Sequence, residues 1–530
     1  MTTAEINSRK DLPEDIEQLR SFSWELVLAY KRLSEKYRKL LDTQFGRSSE
    51  KLVDLEQLDA LQMEMDALLE QAMEAEKKCA EAERETVEVT SYRRRRKHPG
   101  RNALPEDLIT EKTLDVSDAE RICDCCGLPK SVIDTKAHVV VERIPARYEV
   151  TRYLRPVYAC SHCKDTVSVA EPVMTPIAKG LAGPCLLVFV MVSKYVYHLP
   201  LYRIQRQIFH ESGGIWFTRS TLSGWVGQIC AILERIHRAL LDQYRASRIK
   251  HADESPLSVM CDKKLRTGWM WVGLSGDGRT AVFVYDRHRS GKAALKLLEG
   301  SSAGDYLMID DCASYHKVID KLKLVDQRCM VHIRRKFVDA RKAGSQSKYV
   351  DIMLIKIGQL YRIERLARNT GCSNQQRLVL RRKYSAEIMR QIKSLLDNPG
   401  FAVLPQSTLG SAILHFRKNW DQACRFLESG ELPIDNSANE RIIRPFAIGR
   451  NNWLQAGSEN GARWMATLYS ICTTCKLNNI DVNEYLADVI MRLPLRPANA
   501  DISDLTPVGW YRDKHNGDMP PVTHLYPSKN

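Results

Sequence analysis

The part of this 530-residue chain that most limits its fold is the span 250–343, where short segments rich in Val, Trp and Met alternate with turns and then with helical patterns. Three strand-like runs come first: Pro256 to Cys261, Gly268 to Leu274 and Thr280 to Asp286. Ser275-Gly276-Asp277-Gly278 is a hairpin turn between the second and third. A helix from Ser290 to Glu299, a buried strand from Tyr306 to Asp310, a helix from Ser314 to Leu322, a strand from Val325 to Met330 and a basic helix from Val331 to Lys342 follow. Consecutive strands joined by tight turns pair antiparallel, whereas strands separated by a helix pair parallel. One sheet with an antiparallel half and a parallel half is therefore expected.

The order βββαβαβα is that of a ribonuclease-H-like core, here inside a multidomain α+β chain. Asp253 stands just before the first strand and Asp310 ends the fourth. In this topology those strands are neighbours, so their carboxylates would converge. Taken singly, each acid also fits a loop, cap or strand-end residue. A third acid lies in LPIDNSANERIIRPFAIGRNNW, Leu432 to Trp453. Asp435, Asn436, Ser437 and Asn439 lead into a short helix that should hold Glu440, Arg441 and Arg444 and end at Pro445. Ser437-Ala438-Asn439-Glu440 equally fits a capping box, in which Glu440 would only satisfy a helix start. Residues 344–431, helical and basic (Arg377, Arg381, Arg382, Lys383, Arg390), separate Asp310 from Glu440. That is too long for a loop in a compact domain and reads as a helical insertion.

Upstream, Leu19, Ser23, Leu26, Tyr30, Leu33, Tyr37 and Leu40 recur at alternating steps of four and three, and Leu58, Leu61, Met65, Leu68, Ala72, Ala75 and Cys79 repeat the seam. Residues 10–90 should form a coiled coil, either between chains or as an intramolecular hairpin. A basic arm at 91–119 carries Arg93, Arg94, Arg95, Arg96, Lys97 and Arg101 and reads as a DNA-contacting segment or a solvated linker. Cys123, Cys126, Cys160 and Cys163 have the spacing of a structural Zn2+ site, with Cys125 or His162 as alternative ligands. A zinc ribbon at 120–172 would use β segments such as His138 to Arg143 and Tyr148 to Tyr153. Residues 181–247 read as helices, with Tyr202 to His210, a Gly213-Gly214 turn and a short Thr218-capped helix suggesting a helix-turn-helix, or an ordinary helical hairpin. The core then runs over 248–343 and 432–462 around the insertion. A helical segment at 463–495, with Cys472 and Cys475 in its apolar pattern, precedes a Pro-rich tail at 496–530 expected to lack structure.

The net charge of +14 points to a polyanionic partner, with nucleic acid favoured over an acidic membrane. The longest apolar run, Cys185 to Val192, is far short of the ~20 residues of a spanning helix. A soluble cytoplasmic protein with reduced or metal-bound cysteines is expected.

HADESP (His251 to Pro256), YLMIDDCASY (Tyr306 to Tyr315), CMVHIRRKF (Cys329 to Phe337), the Leu432 to Trp453 stretch and CKLNNIDVNEYLADV (Cys475 to Val489) together resemble the transposases of the insertion-sequence-sixty-six family of bacterial mobile elements. The resemblance extends to FGRSSEKL (Phe45 to Leu52), the basic arm ending in HPGR and the paired cysteine knuckles. It implies a DDE-type transposase whose acids are Asp253, Asp310 and Glu440, holding two Mg2+ ions roughly 4 Å apart for in-line phosphoryl displacement. Glu440 would ride on a mobile helix. The implied partners are double-stranded DNA of the element's terminal inverted repeats and target, further copies of the chain in a homo-oligomer, and companion proteins of the same element. Arg441, Arg444 and Arg450 would hold phosphates, Trp453 would stack on a base or sit in the core, and Arg334 and Arg335, beside His332, would face DNA or solvent. This chain departs from the family pattern in having Asp311 and Cys312 after Asp310, which makes Asp311 a rival second acid, and in Gln455 and Cys472. Competing readings are a DNA-binding regulator without catalysis and a ribonuclease or junction nuclease on the same core.

Overall fold

The structure, a computed structural model, describes residues 148–154, 157–159, 167–169, 171–178, 180–343, 348–397 and 403–521. The expected coiled coil, the basic arm (Arg93 to Lys97, Arg101) and the knuckle residues Cys123, Cys126, Cys160 and Cys163 lie outside the described residues. Near the knuckles a small antiparallel pair, β1 (Val157–Ala159) and β2 (Val167–Val169), is present. The strand expected from Tyr148 to Tyr153 is absent: these residues are extended chain without a ladder.

Three helices precede the main sheet: α1 (Pro184–Tyr195), α2 (Leu201–Ser212) and α3 (Arg219–Ala246). Gly213, at φ 71°, ends α2 in the left-handed conformation that glycine adopts at little cost, and the Thr218 side chain accepts from Thr221 N–H to cap α3. The helix after the turn is not short. Leu222, Trp225, Ile229, Leu233, Ile236, Leu240 and Tyr244 bury a stripe along its 28 residues, making α3 a core helix rather than a projecting recognition helix.

The sheet has the strand order β5-β4-β3-β6-β7, from β3 (Ile249–Cys261), β4 (Lys264–Ser275), β5 (Ala281–Asp286), β6 (Tyr306–Ile309) and β7 (Val325–Arg328). β3, β4 and β5 pair antiparallel, and β6 and β7 extend the sheet in parallel. The connecting helices are α4 (Gly291–Leu298) and α5 (Ala313–Leu322), and α6 (Met330–Lys342) follows β7. β3 begins earlier than its hydrophobic pattern indicates. Lys250 and His251 break that pattern, yet both are buried with partners: Lys250 Nζ lies 2.7 Å from Asp305 Oδ2, and His251 Nδ1 is 2.8 Å from Asn436 Oδ1. Asp253 thus sits inside β3, opposite Val272, and not ahead of the strand.

Residues between α6 and the Glu440 stretch form the expected helical insertion: α7 (Lys348–Asn369), α8 (Asn374–Leu380), a π-turn at Arg381–Ser385, α9 (Ala386–Asp397), α10 (Thr408–Lys418) and α11 (Trp420–Cys424). They close a second core with α6, in which Ile333 and Phe337 meet residues such as Met353, Ile392 and Phe416.

The chain then returns to the sheet in α12 (Ser437–Trp453), α13 (Glu459–Leu477), α14 (Val482–Arg492) and α15 (Pro507–Lys514). Pro445 does not end the Glu440 helix. It costs the backbone bond its missing N–H would make, but Asn439, Ile442, Phe446, Gly449 and Trp453 are buried on both sides of it, and packing carries the helix through. Along the edge strand β5, Ser470 and Thr474 of α13 bond the free backbone: Phe283 N–H and Ala281 N–H donate to their hydroxyls at 2.7 and 3.1 Å. That closes the edge to further strand pairing. Cys472 and Cys475 are core residues, both buried. The tail is partly structured: Trp510 of α15 is buried edge-on to Tyr485 and donates to Asp488 at 2.7 Å.

Candidate active site

The helix α12 lies on β3 and β4 and is tied to β3 at both ends. At its start, Asn436 is fully buried: its Oδ1 meets His251 Nδ1, its Nδ2 donates to Ala252 O at 3.2 Å, and its backbone N–H donates to Cys329 Sγ at 3.1 Å. Asn439, also fully buried, reaches Val272 O of β4 at 3.4 Å. At its end, Arg450 Nη1 donates to Ser255 Oγ (3.0 Å) and Pro256 O (2.6 Å), and Ala456 pairs with the backbone of Ser258 and Met260. The expected mobility of this helix is not what these anchors provide. Two of the polar residues of DNSANE, Asn436 and Asn439, are explained as buried clamps between helix and sheet. The capping box does not form, because Asn436 holds the N-cap position with no side-chain cap bond.

The Glu440 carboxylate is thereby left for other work. Its Oε1 is buried without a hydrogen-bond donor and stands 3.6 Å from His332 Nε2 and 3.8 Å from Arg335 Nη2, both on α6. Asp310, one residue beyond β6, likewise has a buried Oδ1 with no donor. Burial pushes the Asp253 carboxyl up to about 7, and the negative charges of Asp310, Glu254 and Glu440 push in the same direction. The fold therefore brings the three sequence-picked acids into one another's field. Among the described residues, no group of three or more His, Cys, Asp or Glu is drawn together closely enough to hold a metal ion. Chemically, buried carboxylate oxygens without donors, beside an Asp253 carboxyl raised by burial and by its acidic neighbours, suit a hard divalent cation such as Mg2+.

The rival Asp311 also has a buried Oδ1 with no hydrogen-bond donor, but its carboxylate is more heavily engaged. Lys418 and Asn419 donate to its Oδ2 at 3.1 and 3.3 Å, and Arg328 and His316 lie 3.6 and 3.3 Å from its Oδ1. Burial works against its charge, but these donors prevail and hold the carboxyl below the usual range.

Glu254 was not singled out from the sequence. Its side chain is 1% exposed, paired with Arg289 Nη2 at 2.6 Å and accepting from Tyr315 O–H at 3.1 Å. Alternation along a strand sends Asp253 and Glu254 to opposite faces, so that signal was available once β3 is known to span both. Of the residues expected to touch DNA, Arg334 and Arg335 are exposed on α6, Arg441 is half-buried and Arg444 is exposed. Arg450 is occupied by β3. Trp453 is packed in the core, edge-on to Phe446 and with Lys194 Nζ 5.7 Å from its ring centre, so a base could reach it only by displacing these neighbours.

A sequence model described as "Transposase IS66 family" matches residues 179–464, over half of the chain. Others match residues 32–112 ("Transposase C of IS166 homeodomain"), 120–164 ("zinc-finger binding domain of transposase IS66") and 470–508 ("IS66 C-terminal element"). Similar proteins include two uncharacterized proteins of Sinorhizobium fredii (strain NBRC 101917 / NGR234). One, y4hP, is 28% identical over 92% of this chain and 89% of its own length. The other, y4jD, is 29% identical over 78% of this chain and 82% of its own. No helix among the described residues is long and apolar enough to cross a membrane. With matches that run in order from the amino-terminal region to the last helices, the chain belongs to the IS66 family of transposases.

Proposed function

We propose that this transposase is a Mg2+-dependent enzyme of the DDE type, built on a ribonuclease-H-like core, which cuts DNA at the element's terminal inverted repeats and joins the freed 3′ end to target DNA. Asp253, Asp310 and Glu440 are its acids. The observation that carries this reading is the pair of buried carboxylate oxygens without donors, on Asp310 and Glu440, beside an Asp253 carboxyl raised by burial first and by their charge second. Left as they are, such groups cost stability, and a divalent cation would satisfy all of them. When bound, Mg2+ would supply charge neutralisation at the scissile phosphate and activation of the attacking water or 3′-hydroxyl. The chain's own part is to aim these carboxylates. β3 fixes Asp253, the end of β6 fixes Asp310, the Asn436 and Asn439 clamps set the first turn of α12, and His332 and Arg335 flank Glu440. The engaged state of Asp311 favours Asp310 as the second acid. Cys123, Cys126, Cys160 and Cys163 would hold a structural Zn2+, and Arg93 to Lys97 with Arg101 would run along the DNA backbone.

In the test, Asp253→Asn and Glu440→Gln are assayed for Mg2+-dependent cleavage of DNA carrying the element's ends. Cleavage should fall by more than about 1,000-fold while affinity for the same DNA stays within about threefold. A variant that cuts at the wild-type rate removes that residue from the site. Preference for RNA–DNA hybrids or four-way junctions over element ends would replace the transposition reading.

A further inference from the structure

Helix α2 keeps its two faces strictly apart. Ile204, Gln205 and Ile208 are buried, whereas Tyr202, Arg203, Arg206, Phe209 and His210 are exposed. At 3.6 residues per turn, Tyr202, Arg206 and Phe209 share one outward line, with Arg203 and His210 beside it. Trp216, in the loop to α3, continues that line: its ring meets Phe209 edge-on at 5.6 Å and remains 56% exposed. The Arg203 and Arg206 guanidinium carbons lie 5.7 and 6.0 Å from the centre of the Tyr202 ring.

The loop that carries Trp216 is held in place. Gln205 Nε2 donates to Phe217 O at 2.6 Å, Ile215 N–H donates to Ser212 Oγ at 2.9 Å, and Thr218 caps α3. The nearest acid on α2, Glu211, is occupied by Gln207 and Tyr148. The surface is thus a fixed row of flat rings interleaved with arginines.

Stacked base pairs in a duplex hide the ring faces that such a row could engage, whereas unpaired bases offer them, and their phosphates suit the arginines. A protein partner could also use aromatic residues and Arg, but the scarcity of acids here and the +14 charge of the chain favour a polyanion. We propose that the outward face of α2, with Trp216, binds a short stretch of unpaired DNA strand. Its bases stack on Tyr202, Phe209 and Trp216, and its phosphates meet Arg203 and Arg206. This rests on DNA being the substrate but not on the identity of the catalytic acids.

The test is fluorescence anisotropy of the full-length protein with labelled oligonucleotides: a single strand, a blunt duplex of the same sequence, and that duplex with a single-stranded overhang. The triple variant Tyr202→Ala, Phe209→Ala, Trp216→Ala should lose about tenfold or more in affinity for the single strand and the overhang, and stay within about threefold on the blunt duplex. Arg203→Gln with Arg206→Gln, a gentler change for folding, should weaken single-strand binding and flatten its salt dependence. Equal losses on all three DNAs, or none on the single strand, would overturn the proposal. So would a shift in sedimentation with DNA binding intact, which would make the surface a contact between copies. Asp253→Asn binding the single strand normally while failing to cut would separate this surface from the catalytic reading.

Discussion

In the helical insertion, the buried carboxylate of Glu364 has both oxygens taken by Arg381, at 2.7 Å from Nε and 2.7 Å from Nη2. Arg381 is itself wholly buried, and its Nη1 donates to the carbonyls of Phe426, Ser429 and Leu432. Beside the sheet, Asp310 and Glu440 keep buried oxygens with no donor, and Asp253 is driven up to about 7. The first region uses a buried ion pair to fix the path of the loop that delivers the chain to the Glu440 helix. The second leaves buried carboxylate oxygens without hydrogen-bond donors, with His332 and Arg335 standing off at 3.6 and 3.8 Å from Glu440 Oε1. Stability and function make opposite demands on buried carboxylates, and the two cores of this protein meet one demand each.

The sharpest way to break that contrast is to strip Glu364 of its partner. Arg381→Met should leave a buried, uncompensated carboxylate and three unpaired carbonyls, and lower stability by about 3–5 kcal/mol in chemical denaturation. Adding Glu364→Gln should recover part of the loss. A loss below about 1 kcal/mol from Arg381→Met would mean that the pair is not what holds the insertion together.

At the sheet the sign reverses. The Asp253 carboxyl titrates near 7 in the fold, against about 3.9 in an unfolded chain. A raised carboxyl favours the folded state below pH ~4, and that contribution is lost as pH rises through ~7. The metal-free protein should therefore lose stability between pH 5 and 8, by at most about 3 kcal/mol. Asp253→Asn should remove this pH dependence and be more stable than wild type at pH 8. Millimolar Mg2+ should stabilise wild type and not the variant, because only a native-state ligand shifts the equilibrium. Thermal melts at the two pH values, with and without Mg2+, read all of this, and a wild type that grows more stable as pH rises over this range would contradict it.

How much of this was legible in the sequence depended on whether a residue's partner was near or far. The hairpin turn at Ser275–Gly278 is local: Gly278 N–H bonds Ser275 O at 2.8 Å, and the motif announced it. The start of β3 was not, because Lys250 and His251 read as polar until Asp305 and Asn436, 55 and 185 positions away, are seen to satisfy them. Pro445 looked like a helix end for the same reason, since the packing that overrides it comes from the sheet. Arg381 looked like one more cation of a basic helix. That Asp253, Asp310 and Glu440 come within one another's field was legible through strand order and motif. What their surroundings do to them was not, and that is where Asp310 and Asp311 part company.

Those neighbours provide the finest test of the contrast: each has a buried Oδ1 with no hydrogen-bond donor, but Asp311 alone has its Oδ2 held by Lys418 and Asn419. Asp311 bridges the cores: it lies two residues beyond β6, and its partners Lys418 and Asn419 end α10 in the insertion. Asp311→Asn removes a partly screened ionic contact and should cost about 1–2 kcal/mol at neutral pH. Burial opposes its charge but the donors outweigh it, so the carboxyl lies below the ordinary range and its contribution is present above pH ~4 and lost on acidification. The deficit of the variant should therefore close below about pH 3. Cleavage by Asp311→Asn should stay within about threefold of wild type, whereas Asp310→Asn should fold normally and not cut. The opposite pattern, with Asp311→Asn inactive and Asp310→Asn active, would move the second acid by one residue and make the ion pairs around Asp311 part of the active site.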